Sequence, residues 1–229
     1  MSKLPYIIGL LTILVFGIHS SIAPNVPPSH NAANTGTTFS EPVELNIQMA
    51  FYPQAPLGNW SLPFAEACEE ASALLVANAY YHHNWTAKQF SQEILNMVDW
   101  EKNHFGKYID TSASETAEIL NKYLDLPTVI HENPSIADIK KMLGDGHLII
   151  GFFAGRELHN PNYQNGGPRY HALVIKGYRQ NDQIITDDVG TAQGGDYTYS
   201  WDTIHTALHD LNDPIDDGPK RVLEVWPPD

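Results

Sequence analysis

The chain contains one cysteine, Cys68, and the residues around it favour a nucleophile over a structural thiol. It lies at the start of a segment with helical periodicity, residues 66–81, where the helix dipole and free backbone N–H groups lower the pKa of a thiol. The same N–H groups can donate to an oxyanion that forms beside the sulfur. The neighbouring Glu66, Glu69 and Glu70 act in the opposite direction, so a thiolate at this position needs a strongly positive partner.

His171 is the candidate for that partner. It begins the apolar segment HALVIKGY directly after the glycine-rich stretch NPNYQNGGPRY, so its ring can face a cleft while the residues behind it fill the core. A histidine base needs a third group that fixes its tautomer. The segment TDDVG, at the end of the next predicted strand, offers Asp187 and Asp188 for this role. A thiol, an imidazole and a carboxylate together can carry out acyl transfer through a thioester.

A metal site is the other chemistry that we considered. His205 and His209 are four residues apart on a predicted helix from Trp201 to Leu211, a spacing that suits two zinc ligands. Neither an HExxH nor a CxxC motif accompanies them, so a solvated helix face is the better interpretation. We therefore predict no metal and no cofactor.

The predicted elements that must position these residues fall into two groups. Thr86 and Gln89 form a capping box before the second helix, and two further helices are expected at residues 114–123 and 135–143. After a short first strand near Glu44, strands dominate the second half of the chain, at residues 147–154, 170–178, 183–186 and 221–226. Helices first and antiparallel strands later predict an α+β fold.

The N-terminus differs from the rest of the 229-residue chain. Lys3 precedes a 13-residue apolar stretch, Tyr6 to Ile18, which is short of the ~20 residues of a spanning helix. With the small residues before Pro24, residues 1–23 predict a cleaved signal peptide; an uncleaved anchor is the alternative, because proline after the cut disfavours processing. Residues 24–43 are rich in Pro, Asn, Ser and Thr and predict a disordered linker, and residues 44–229 form the folded domain. We therefore expect a protein that is secreted or held in the cell envelope.

The net charge of −14 restricts the partners. An acidic surface repels phosphate backbones and anionic lipid headgroups, so we expect no nucleic acid and no membrane contact beyond an N-terminal anchor. We expect a monomer.

Three separated blocks of the sequence occur in a definite order: QAPLGNW…EACEEAS, NPNYQNGGPRYHALVIKGY and ITDDVGT…GG…YSWDTIHTALHD. Together, in this order, they resemble the bacterial C39-like peptidases, which are papain-like relatives of the peptidases that trim double-glycine leaders from bacteriocins. The resemblance covers residues 44–226. It implies a papain-like cysteine proteinase fold, with N-terminal helices packed on an antiparallel sheet.

The resemblance also implies roles for individual residues. Cys68 matches the nucleophile of the family, and His171 matches its general base. Gln54, in QAPLGNW, matches the glutamine whose side-chain amide helps the backbone of the cysteine to bind the oxyanion.

The third member of the triad is one of two aspartates. The family commonly reads Asn-Asp-Pro-Gly-Thr where this chain reads Asp-Asp-Val-Gly-Thr, which implies Asp188 as the orienting carboxylate. Val189 stands where the family has proline, so the register of the turn is open and Asp187 remains the alternative.

The implied function is an exported cysteine hydrolase that cleaves a peptide or protein substrate. A papain-like amidase or a transglutaminase-type acyl transferase uses the same triad, and so is an alternative. A non-catalytic cell-surface binding domain is the other, although the intact set of Gln54, Cys68, His171 and Asp188 argues against it. Four aromatic residues are candidates for the lining of a substrate cleft: Trp60, Tyr163, Tyr170 and Trp201.

Overall fold

The computed structural model describes residues 43–228. The predicted signal or anchor segment and all of the predicted linker except residue 43 lie outside the described residues. Within them, seven strands form one antiparallel sheet in the order β2-β7-β3-β4-β5-β6, and β1 pairs with β4. The strands are β1 (Leu45–Asn46), β2 (Thr128–Glu132), β3 (Leu148–Ala154), β4 (Tyr170–Arg179), β5 (Gln183–Asp187), β6 (Tyr197–Ser200) and β7 (Arg221–Val225).

Five α-helices accompany the sheet in the described part of the chain. The capping box predicted at Thr86 and Gln89 is present, and the same reciprocal bonds start the third and fourth helices. None of the described helices is long and apolar enough to span a membrane. The helices are α1 (Cys68–Tyr80), α2 (Ala87–His104), α3 (Ala113–Glu118, followed by a π-helical turn, Ile119–Tyr123), α4 (Ile136–Gly144) and α5 (Trp201–Ala207). The α+β prediction is thus confirmed.

The sheet carries a hydrophobic core on each face because alternate strand residues point to opposite sides. Ile150, Phe152 and Val174 pack with residues of α1 and α2 on one face. On the other face, Phe153 and Ile175 pack with residues of α4 and α5. Helix α1 is buried along its whole length from residue 68 to residue 78, which fixes its first residue firmly in space.

Strand β4 is the centre of the fold, since β1, β3 and β5 all pair with it. At its far end β1 comes so close that a Cβ atom on Gly177 would lie 2.2 Å from the carbonyl oxygen of Leu45. Only glycine therefore fits at this position. The other end of β4 carries His171, and Phe153 of β3 pairs with it there.

The last predicted helix is shorter than the sequence indicated. It ends at Ala207 because Leu208 forms a bridge to Phe153 and the backbone N–H of His209 donates to the carbonyl oxygen of Phe152. The ring of His209 bonds the carbonyl oxygen of Gly218 instead, at 2.8 Å. The helix face that would have carried two zinc ligands therefore does not form. Strands β2 and β6 were not predicted.

Two carboxyl groups meet in the interior between α1 and α2. Glu70 and Glu101 are both fully buried, and their four carboxyl oxygens lack a hydrogen-bond donor among the described residues, so the site favours the protonated forms of both groups. Burial and this proximity raise the pKa of Glu70 well above its ordinary value. Burial also raises the pKa of Glu101, to about 8.

This pair predicts a stability that declines as the pH rises through the neutral range. Between the unfolded pKa of Glu101, about 4.5, and its folded pKa, about 8, the native state holds a proton that the unfolded chain releases. The free energy of unfolding therefore falls with rising pH in this window, by at most about 1.4 kcal/mol per pH unit for one proton. Glu101→Gln should flatten this decline, measured as the urea midpoint at several pH values between these two pKa values.

Glu93→Gln, on the same helix and partly exposed, is the matched control and should retain the wild-type slope. An unchanged slope in Glu101→Gln would show that the buried pair does not titrate on folding.

Candidate active site

Cys68 is the first residue of α1, and the structure leaves the start of this helix open. Ala67 occupies the N-cap position and makes no side-chain hydrogen bond to the first turn, so no capping side chain covers the backbone N–H of Cys68. Cys68 is only 6% exposed, and that exposed part lines a cavity of about 530 Å³. His171 lines the same cavity.

Among the described residues, the thiol of Cys68 interacts with Glu69 and Ala172, and no hydrogen bond joins it to His171. Its Sγ donates to Oε2 of Glu69 at 2.9 Å and accepts from the backbone N–H of Ala172. Burial and the negative charge of Glu69 raise the pKa of the Cys68 thiol well above its ordinary value, while the Ala172 N–H acts in the opposite direction. The resting sulfur is therefore a neutral thiol.

A second hydrogen bond, to the other carboxyl oxygen of Glu69, fixes the position of its side chain. Oε1 accepts the backbone N–H of Thr111 at 2.8 Å, and the side chain is 1% exposed. Burial and the nearby Glu70 raise the pKa of Glu69 well above its usual range. Two donors directed at one carboxyl group nevertheless suit an ionised acceptor. The sequence indicated that the carboxylates beside Cys68 would disfavour a thiolate, and the structure adds a direct hydrogen bond.

His171 and Asp188 form a direct hydrogen-bonded pair. Nε2 of His171 lies 2.8 Å from Oδ1 of Asp188, and both side chains are buried. Because Nε2 is used here, Nδ1 is the ring nitrogen left to exchange a proton. The ring of Tyr163 packs edge-on against the imidazole, with the ring centroids 5.5 Å apart.

The carboxylate of Asp188 is surrounded by donors. Besides His171, Oδ1 accepts the backbone N–H of Gly190 at 3.0 Å. Oδ2 accepts from Asn160 Nδ2 at 3.0 Å and from the hydroxyls of Tyr163 and Tyr199 at 2.7 and 2.5 Å. Burial alone would raise the pKa of Asp188, but the charge of His171 and these hydrogen bonds outweigh it and hold the pKa below its ordinary value. Asp188 is therefore a buried, ionised carboxylate.

The turn after Asp188 has room only for glycine. A Cβ atom on Gly190 would lie 2.8 Å from Cε1 of His171 and 3.0 Å from a ring carbon of Tyr163. The backbone can thus pass close to the imidazole and present its N–H to Asp188.

Asp187 belongs to a different network. Its Oδ1 lies 3.1 Å from Nζ of the buried Lys176 and also accepts the backbone N–H of Asp196. Lys176 makes a second ion pair with Asp196 at 2.9 Å. Burial raises the pKa of Asp187 in spite of these partners. Of the two aspartates that the sequence left open, only Asp188 contacts His171.

Gln54 reaches the cavity from the loop that precedes α1. Its Nε2 donates to the carbonyl oxygen of Phe64 at 2.9 Å, which leaves the second amide N–H free of that bond. Its backbone N–H donates to the carbonyl oxygen of Val189 at 2.9 Å. The loop of Gln54 is therefore tied to the turn that follows Asp188.

Four of the five predicted residues either line the cavity or are hydrogen-bonded to a residue that lines it. Gln54, Cys68 and His171 line it, and Asp188 lies behind His171. Among the aromatic candidates, Trp60, Tyr163 and Tyr170 line it as well, whereas Trp201 packs beside His205 at the start of α5. Asn160 and Tyr199, which donate to Asp188, were not predicted from the sequence. The only sequence feature that could have indicated them is their position near polar or glycine-rich segments.

Comparison with known proteins identifies the family and the fold. Residues 44–209 match the model of the Peptidase C39 like family. A crystal structure from Bacillus anthracis, described as that of a C39-like peptidase, is similar with a TM-score of 0.53 and 13% identity, over 81% of this chain and 99% of that one. No curated protein matches the chain.

A fragment of prointerpain A from Prevotella intermedia is also similar, with 14% identity over 80% of this chain and 56% of that one. Its TM-score is 0.39. The family match covers most of the chain, including Cys68, His171 and Asp188. The chain therefore belongs to the Peptidase C39 like family.

Proposed function

We propose that the protein is a cysteine peptidase that hydrolyses peptide bonds through a thioester on Cys68, with His171 as the base and Asp188 as the residue that orients it. One observation carries this proposal: the cysteine at the open start of α1 and the imidazole bonded to Asp188 line the same cavity. The family of the chain is one of peptidases, which fits this chemistry.

The first step is a proton transfer from the thiol to Nδ1 of His171. Sγ already lies against the backbone N–H of Ala172, the residue directly after the base. A rotation of the cysteine side chain away from Glu69 is the movement that this step requires. Asp188 stabilises the imidazolium that results.

The following steps transfer the acyl group. The thiolate attacks the carbonyl carbon of the peptide bond, and the imidazolium gives its proton to the nitrogen of the leaving amine as the C–N bond breaks. Water then attacks the thioester, with His171 accepting a proton from the water, and the thiol is released.

The negative oxygen of each tetrahedral intermediate needs donors at fixed positions. The open backbone N–H of Cys68 and the second amide N–H of Gln54 are the groups that we assign to it. The bond from Gln54 to Phe64 supports the assignment because it fixes the orientation of the amide plane.

We also propose that the protein is exported. It rests on residues 1–23 of the sequence, where Lys3 and the apolar stretch to Ile18 have the pattern of a signal peptide.

The proposed function predicts peptide hydrolysis that depends on Cys68 and His171. The purified protein should cleave members of a mixed peptide library, and Cys68→Ala and His171→Ala should abolish cleavage while remaining folded by circular dichroism. His205→Ala, at an exposed position of α5, is the matched control and should keep wild-type kcat/KM.

Mass spectrometry of the products in H₂¹⁸O distinguishes the reaction types. Hydrolysis places ¹⁸O in the new carboxyl group, whereas transfer to an added amine would identify an acyl transferase. If neither a thioester nor a product forms, the protein is a non-catalytic binding domain and the proposal is refuted.

The two aspartates should give different defects. Asp188→Asn removes the charge that supports His171, so kcat/KM should fall by up to about 10⁴-fold, as it does for a misoriented histidine in a serine triad. Asp187→Asn leaves the buried Lys176 with Asp196 alone, so it should lower the free energy of unfolding by up to about 3 kcal/mol and leave kcat/KM nearly unchanged. Urea unfolding and steady-state kinetics on both variants separate these effects, and an inactive but stable Asp187→Asn protein would reverse the assignment.

Glu69 should restrain the nucleophile. Glu69→Gln keeps an oxygen for Thr111 and removes the negative charge beside Sγ, so the thiol pKa should fall and alkylation by iodoacetamide at neutral pH should accelerate, by on the order of tenfold for each pKa unit. Asp99→Asn, which removes an exposed charge on α2, should alkylate at the wild-type rate. Equal rates in Glu69→Gln and wild type would mean that the carboxylate does not control the thiol.

A further inference from the structure

Glu66 occupies an unusual position in the candidate active site. It ends the short 3₁₀ turn Phe64–Glu66 and lies two residues before Cys68, and it lines the same cavity. It is the only carboxylic acid in the described lining, which contains no lysine or arginine. Apart from Cys68 and His171, the rest of the lining is uncharged and includes the amide side chains of Gln54, Asn162, Gln164, Asn165 and Gln193.

The carboxylate of Glu66 lacks a partner within the described protein. It forms no ion pair and no hydrogen bond with the residues of 43–228, in contrast with Glu69, which is bonded through both oxygens. Partial burial and the negative charge of Asp110 raise its pKa. A cation that entered the cavity would relieve both effects, because it would supply the missing opposite charge.

Two further features suit a basic side chain. Trp60 lines the cavity and is 38% exposed, so it offers an aromatic surface to the aliphatic stem of lysine or to the plane of arginine. The net charge of −14 attracts cationic molecules to the protein from solution.

From this geometry we propose that Glu66 forms a cation-binding subsite, and that the substrates are peptides with a lysine or an arginine next to the bond that is cleaved. The proposal rests on the peptidase function for the cleavage, but the binding of the basic side chain is independent of it. Glu66 is a specificity-determining residue and takes no part in the chemistry.

Binding to a catalytically silent protein tests the subsite directly. Cys68→Ala would be titrated with blocked pentapeptides, acetyl-Ala-Ala-X-Ala-Ala-amide, in which X is lysine, arginine, norleucine or glutamate, with heat or tryptophan fluorescence as the readout. The lysine and arginine peptides should bind at least about tenfold more tightly than the norleucine peptide, the size expected for one hydrogen-bonded charge pair. Adding Glu66→Gln to Cys68→Ala should remove this difference, and high salt should weaken it.

Glu44→Gln in the same background is the matched control. Glu44 is exposed and precedes β1, which pairs with the end of β4 opposite to His171, so its loss should leave the lysine preference unchanged. Equal binding of the lysine and norleucine peptides to Cys68→Ala, or a preference that survives Glu66→Gln, overturns the proposal whether or not the protein cleaves peptides.

Cleavage by the active protein then locates the subsite on the substrate. A lysine moved stepwise through a cleaved peptide should raise kcat/KM at one position beside the scissile bond, and Glu66→Lys should reverse this preference towards glutamate. Glu66→Gln should lower kcat/KM on the lysine peptide more than on the norleucine peptide, so that the ratio of the two approaches one. If the lysine peptides bind through Glu66 but none is cleaved by any variant with Cys68, the subsite stands and the peptidase function fails.

Discussion

The burial of one negative charge governs the geometry of the site. Asp188 has no exposed surface, and an isolated carboxylate in such a place would be too costly to remain ionised. Five hydrogen bonds compensate for the lost water, and they come from β4, from β6 and from the loops on either side. These donors must therefore converge on one point, and His171 is oriented as a consequence.

Much of this arrangement could be predicted from the sequence because the relevant signals are local. The start of a helical stripe locates Cys68, and the switch from a glycine-rich stretch to an apolar strand locates His171. The resemblance suggested Asp188 over Asp187, and the contacts of the two side chains agree: Asp187, the last residue of β5, pairs with Lys176, whereas Asp188, the residue after the strand, bonds His171.

The features that escaped prediction depend on contacts distant in the sequence. The edge strands β2 and β6 form because β7 and β5 present unpaired backbone groups to them. Helix α5 ends early because Leu208 forms a β-bridge to β3 and the backbone N–H of His209 donates to β3. A longer helix could not make these two contacts. The bond from Cys68 to Glu69 likewise requires Thr111 to hold the carboxylate from the far side. Such signals are absent from any short window of the sequence.

The hydrogen bond from Cys68 to Glu69 also bears on the chemical durability of the protein. Peroxides oxidise thiolates far more readily than thiols, and the first product, a sulfenic acid, is commonly rescued by a second cysteine. This chain has no second cysteine, and its one sulfur rests as a buried thiol whose pKa is raised. In the proposed reaction the sulfur becomes readily oxidisable when His171 takes its proton, so the resting thiol is protected between turnovers. A nucleophile that rests as a buried thiol has less need of a second cysteine to repair it.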